Sequence, residues 1–280
     1  MIRVKVKRRL FWLNPYSWLV GILVFVISLG SYVMFSNFFH NWTHVGFEAA
    51  VEGAHFDFYP MHGYTLVQLI GPVFAGISIL PVLRLKGCMP NIYLRTEHGY
   101  RFFLKQTAAY ILYGCTLMYV AYVIFLLIGA LNLPIHYTVD RYLFVEITGW
   151  EFSNQHPILY YLLEGFVRYV LFMSVYGLFS VSLSFLTDKN YLCILIPMIY
   201  YNFLAIAVSA LEGFVRVVTQ ADLMPNLMFL APTYTVMSNA REYVNGFAII
   251  APLLPVIAFS IIVIAYRFRK DHRRDAYGVC

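Results

Sequence analysis

Long apolar runs alternate with short polar stretches along the chain. Six runs reach about twenty residues, the length a helix needs to cross the hydrocarbon core of a bilayer. They cover 18–38, 65–83, 107–130, 158–186, 191–211 and 247–268. The pattern predicts an all-α integral membrane protein of six transmembrane helices. No Ser/Gly-rich or Pro-rich linker interrupts it, so residues 1–280 read as a single transmembrane domain. The fourth run is long enough to tilt within the bilayer. A basic stretch followed by an apolar run could mark a signal peptide, but 18–38 is too long for one and no small-residue cleavage motif follows. It reads as a retained first span.

The polar connections set the orientation. Residues 1–17, 84–106, 187–190 and 267–280 together carry sixteen of the Lys and Arg residues. The other connections and their margins carry four: Arg141, Arg168, Arg216 and Arg241. Basic residues stay on the cytoplasmic side of a membrane. Both termini are therefore expected in the cytoplasm, which requires an even number of spans. The outer connections, 39–64, 131–157 and 212–246, mix aromatic, acidic and apolar residues. The third holds two short apolar stretches, 214–218 and 223–230, broken by Pro225 and Pro232. It predicts a pair of short outer re-entrant helices, since backbone at membrane depth must satisfy its own hydrogen bonds.

Composition agrees. Hydrophobic residues make up 61% of the chain and charged residues 12%, too little charge to cover a soluble domain of this size. The mean hydropathy is +0.69. The net charge of +6 gathers at the connections and the C-terminal tail, which speaks for topology control and against a nucleic-acid surface. Aromatics reach 18%, and many stand at span ends, as interfacial belts do. The four cysteines, Cys88, Cys115, Cys193 and Cys280, form no C-x-x-C pair and read as small apolar residues. Gly71-Pro72, Pro81, Pro197, Pro252 and Pro255 mark irregular points in the second, fifth and sixth spans.

The chain has no G-x-x-x-x-G-K-[ST] loop, no H-E-x-x-H helix and no G-x-S-x-G elbow. No catalytic residue and no cofactor or metal requirement is expected. Ionisable residues are scarce within the spans, which weakens ion-coupled transport. Two similar strings stand out: Leu163-Glu164-Gly165-Phe166-Val167-Arg168 and Leu211-Glu212-Gly213-Phe214-Val215-Arg216. In each, Glu and Arg stand four apart on one helical face. They read as neutralised ion pairs toward the outer leaflet, or as an outer gate formed by Glu164, Arg168, Glu212 and Arg216. The first outer loop holds His40, His44, Glu48, Glu52, His55, Asp57 and His62, where a metal site is conceivable but unspecific. Residues 91–105 alternate aromatic and basic positions, as an amphipathic helix on the inner surface does, with a bend near Gly99.

With six spans, both ends inside, Arg95-Thr96-Glu97-His98-Gly99-Tyr100-Arg101-Phe102 between spans two and three, the short 187–190 turn and the apolar double segment before span six, the chain resembles the permease subunits of bacterial type-2 ATP-binding-cassette exporters. The resemblance covers essentially the whole chain. It implies a second copy or a related permease as partner, separate cytoplasmic ATPase subunits, and surrounding membrane lipid. It implies a coupling helix, with Arg95, Glu97, His98, Tyr100, Arg101 and Phe102 contacting the ATPase, and an interfacial element at 3–10. A translocation path along spans one, two and five would carry an amphipathic or hydrophobic cargo such as a peptide, antibiotic or lipid across the cytoplasmic membrane. The alternatives are a secondary transporter or channel, a membrane-embedded metalloenzyme, and a scaffold or sensor subunit.

Overall fold

The computed structural model describes residues 14–35, 56–57, 66–87, 99–132, 135–136, 152, 155–219 and 251–276. Its elements are helical apart from one two-residue strand pair. Helix α1 spans Pro15–Phe35, with Asn14 before it and proline in the first position, where the missing N–H costs no hydrogen bond. Helix α2 (Leu66–Ser78) and α3 (Leu80–Gly87) lie on either side of a break at Ile79. Helix α4 is Gly99–Asn132. Then come α5 (Pro157–Phe166), a π-helical segment over Val167–Phe172, and α6 (Met173–Ser184). Helix α7 covers Asn190–Thr219, and a 3₁₀ turn at Ala251–Leu253 leads into α8 (Leu254–Ala276). Strands β1 (Phe56–Asp57) and β2 (Ile135–His136) pair in parallel and join the first two predicted outer connections.

The described residues of each predicted span are helical except at 79 and 185–186. Among the described residues, four helical stretches are long and apolar enough to cross a membrane: Phe102–Leu127, Val167–Ser184, Asn190–Thr219 and Ala251–Arg269. Pro15–Leu29 is a shorter apolar helical stretch. On length and composition the chain is a helical membrane protein.

Two expectations are corrected. Residues 99–105 do not lie apart from the third span; they are the first turns of α4, which runs 34 residues without interruption. At 1.5 Å per residue it is about 51 Å long, against a hydrocarbon core of about 30 Å, so it projects well beyond one bilayer face. The apolar stretch 214–218 likewise does not form a separate outer helix. It continues α7 to Thr219, because Gly213 alone does not stop a helix and the first proline comes only at 225. Residues 223–230 lie outside the described residues.

The segment through the π turn and α6 is the centre of the bundle. Of the Val167–Ser184 stretch 72% is buried, against 24% for α7 and 22% for α8, whose outer sides face away from the protein. Helix α6 packs on α2, α4, α7 and α8, while α1 lies along α4 and α2. Residues such as Ile22 and Val26 of α1, Ile199, Phe203 and Ile206 of α7, and Ile262 of α8 are exposed large apolar side chains, suited to lipid or to another apolar surface.

Lipid tails are as apolar as leucine, so helices in a membrane are held by close packing and polar contacts rather than by expulsion from water. Two glycines provide close approach. A Cβ on Gly114 of α4 would collide with Ser78 of α2, and one on Gly165 would meet the ring of Tyr122, which is 1% exposed. We expect Gly165→Ala to destabilise the protein by about 1–3 kcal/mol through overpacking, because a flat ring between two helices has no side to yield. A thermal melt of the detergent-solubilised variant checks this; an unchanged midpoint would contradict it.

Cys115 and Cys193 are buried and not joined in a disulfide, matching their reading as apolar residues.

Candidate functional site

The basic end of the bundle brings together residues far apart in sequence. Here α4 begins, α6 turns into α7, and α8 ends. Phe103, in the second turn of α4, is 1% exposed. Its ring stands edge-on to Phe185 at 5.7 Å, and Phe185 stands edge-on to Phe268 of α8 at 6.2 Å. Both geometries place a ring edge toward a ring face, the favoured aromatic arrangement. The three rings tie the starting turns of α4 to the α6–α7 turn and to α8. That turn is tight: Phe185 and Leu186 N–H groups donate to the Ser182 and Leu183 carbonyls at 3.0 and 2.9 Å, and the Thr187 hydroxyl accepts from the Lys189 N–H at 3.2 Å. Asp188 and Lys189 project to the exterior.

A second junction couples α1 to the α2–α3 break. Pro81 has no N–H to donate. The Val82 N–H donates to Ile79 O at 2.8 Å instead of continuing the helical ladder, which frees the Ser78 carbonyl. The Asn14 side-chain amide takes that place, donating to Ser78 O at 3.1 Å and to the Ser17 hydroxyl at 2.6 Å. Its carbonyl oxygen accepts the Tyr16 N–H at 3.2 Å, capping α1. Asn14, Ser17 and Ser78 are all buried.

The residues singled out in the sequence fall as follows. Arg95, Glu97 and His98 lie outside the described residues. Tyr100 and Arg101 lie in the first turn of α4, and Phe102 beside them is half-buried. Glu164 is in α5, Arg168 in the π segment, and Glu212 and Arg216 in α7. The two similar strings are not equivalent. Arg168 is 2% exposed and Glu212 9%, whereas Arg216 is exposed. Helices α6 and α7 run antiparallel across their short turn, and contacts of Phe179 with Tyr200 and of Phe172 with Tyr201 fix their register. Val208, one turn before Glu212, is also buried.

The π segment beneath Arg168 is a genuine wide turn: the Met173 N–H donates to Arg168 O, five residues back. Such turns recur at functional positions in helices.

Among the described residues no group of three His, Cys, Asp or Glu side chains is placed to hold a metal. The loop histidines His40, His44, His55 and His62 lie outside those residues or have undescribed side chains. Comparison with protein-family models, with curated proteins and with solved structures found no match.

Sequence reading missed the Phe103–Phe185–Phe268 cluster and the Asn14 junction. Asn14-Pro15 does carry a legible helix-start signal. Nothing in the sequence joins Phe103 to residues 185 and 268.

Proposed function

We propose that the chain is the membrane-spanning permease subunit of an ATP-driven exporter of the type-2 ATP-binding-cassette class. It crosses the cytoplasmic membrane six times with both ends inside. It pairs with a second copy or a related permease, and moves an amphipathic or hydrophobic cargo using separate cytoplasmic ATPase subunits. The observation that carries this reading is the ring cluster at the basic end. The segment that would contact the ATPase, Arg95 to Phe102, runs directly into Phe103, and Phe103 is packed against Phe185, which in turn meets Phe268. A push on that segment is delivered at once to α4, to the α6–α7 turn and to α8. Close-packed groups transmit displacement rather than absorb it.

The absence of a P-loop in the sequence fits an energy source on another chain. The exposed apolar sides of α1 and α7 fit lipid contact and a second permease. Charge at the basic end fits the cytoplasmic face.

Co-purification with an ATPase subunit, and cargo-stimulated ATP hydrolysis by the complex, test the reading. Glu97→Ala and Arg101→Glu are expected to abolish stimulation while leaving the unstimulated rate of the ATPase intact. Normal coupled transport by the double variant would remove the coupling assignment. Transport driven by an ion gradient with no ATPase present would replace the exporter by a secondary transporter.

A further inference from the structure

The last turns of α8 carry a charge pattern that force transmission does not use. Helix α8 runs unbroken from Leu254 to Ala276, so it continues past its apolar run into Arg267-Phe268-Arg269-Lys270-Asp271-His272-Arg273-Arg274-Asp275. At 3.6 residues per turn, the five basic positions 267, 269, 270, 273 and 274 fall within about 160° of the helix circumference. Asp271 and Asp275 fall outside that arc, on the side of Phe268, with His272 beside them. These two sides continue faces that the bundle already separates. Ser260 and Ile264, both buried, lead at helical spacing to positions 271 and 275. Ile262 and Tyr266, 66% and 67% exposed, lead in the same way to positions 269 and 273. Arg269 is itself exposed. Arg267 is half-buried and already engaged within the protein.

A neighbouring element fixes the depth of this turn. The Phe268 ring meets Phe185 at 6.2 Å. One residue further, Leu186 is 63% exposed, and Asp188 and Lys189 are exposed charges. The exposed apolar surface therefore gives way to charge at the level of Phe268. At 1.5 Å per residue, positions 269 and 273 lie about 1.5 and about 7.5 Å beyond that level along the axis. The headgroup layer on each side of the hydrocarbon core is about 5–8 Å thick. The basic arc thus stands at headgroup depth.

Two general effects favour basic residues here without setting their direction. The macrodipole favours cations at a helix C-terminus, and retention on the cytoplasmic side favours them in any inner connection. Both act on the turn as a whole and are indifferent to which side an acid takes. In α8 neither acid falls on the stripe that continues Ile262 and Tyr266. Several cations at headgroup depth above an exposed apolar stripe match one ligand chemistry. Phosphate oxygens accept charge-assisted bonds from guanidinium and ammonium groups, and attached acyl chains lie along the apolar stripe below.

We propose that the basic arc of α8, centred on Arg269, Lys270 and Arg273, binds the headgroup of an anionic phospholipid in the leaflet at this end of the bundle. The site requires that α8 crosses the membrane; it does not require the exporter reading.

Isothermal titration of the full chain, purified in a neutral detergent, tests this with dioctanoyl phosphatidylglycerol and dioctanoyl phosphatidylcholine as probes. The anionic lipid is expected to bind more tightly than the zwitterionic one. Raising the salt from about 0.05 to about 0.5 M should weaken that preference in the parent protein, because exposed charges are screened. Arg269→Gln with Arg273→Gln should reduce the preference about fivefold per cation removed, with the melting midpoint unchanged. Arg269→Lys with Arg273→Lys keeps the charge and should keep most of the preference. Arg141→Gln with Arg241→Gln removes the same charge from the opposite connections and should leave the preference in place. Inorganic phosphate, which has no acyl chain, should not bind. Equal binding of the two lipids by the parent overturns the proposal, as does a preference that ignores salt. So does full preference in the Arg269→Gln, Arg273→Gln protein, or an equal loss in the Arg141→Gln, Arg241→Gln protein. Binding of inorganic phosphate as tight as that of phosphatidylglycerol overturns the lipid assignment.

Discussion

Replacing Phe103 with alanine is expected to lower stability by about 3 kcal/mol and to uncouple the permease from its ATPase. The stability loss follows from deleting a ring that is 1% exposed, in a place where its neighbours are fixed by helix turns and cannot close the gap. The lost edge-on contact with Phe185 contributes part of it. A cost of that size should lower the melting midpoint by roughly 10 °C, taking about 2–4 °C per kcal/mol for a chain of this class. The functional loss has a separate cause. Without Phe103, the first turns of α4 no longer bear on Phe185, and through it on Phe268, so a displacement at residues 95–102 stops at α4. Phe103→Leu separates the two effects. Leucine restores much of the volume, so the midpoint should recover most of its value, while the ring-on-ring contact stays absent. If Phe103→Ala keeps cargo-stimulated hydrolysis at the parent level in folded protein, the cluster is only structural and the transmission reading loses its main support.

The same cluster shows what the sequence made legible and what it did not. Helix positions were readable because an apolar run of about twenty residues has few alternatives in lipid. The predicted spans 107–130 and 191–211 lie inside α4 and α7. The ends were less readable. Nothing between Gly99 and Gln106 or between Leu211 and Thr219 stops a helix, so both helices ran past the hydropathy boundary. Irregular points fell where proline announced them only in part. Pro81 goes with the break at Ile79, but the π segment at Val167–Phe172 contains no proline or glycine and was read as ordinary helix. The charged strings were found by their spacing. The burial of Arg168 and the exposure of Arg216 were not, because that depends on whether a position on one helix faces another. Arg168 faces inward from the central segment, while Arg216 sits on an outer turn of α7. Contacts such as Phe103 with Phe185 join residues separated by two spans, and hydrophobic patterning carries no such pairing.

The Asn14 junction gives the second large effect, and its variants can divide a cap from a bridge. The side chain does two jobs with opposite chemistry: its oxygen accepts the Tyr16 N–H at the start of α1, and its nitrogen donates to the Ser78 carbonyl freed at the break before Pro81. Asn14→Leu removes both. The cap is worth about 0.5–2 kcal/mol. A buried carbonyl left without a donor costs about 1–3 kcal/mol more. The expected loss is therefore about 1.5–5 kcal/mol, read as a lowered melting midpoint in detergent. Asn14→Asp keeps the acceptor and adds a charge that the positive end of α1 favours, so a pure cap would be unharmed or strengthened. It also replaces the donor with a carboxylate oxygen facing a carbonyl in a site where Asn14 is 5% exposed. Burying that charge without its donor partner is unfavourable. The aspartate variant should therefore be at least as damaged as the leucine variant if the bridge to Ser78 dominates. A midpoint for Asn14→Asp equal to the parent would show that Asn14 serves α1 alone, and that the break at Ile79 is held by Ser17, Ser78 and the close approach at Gly114 without it.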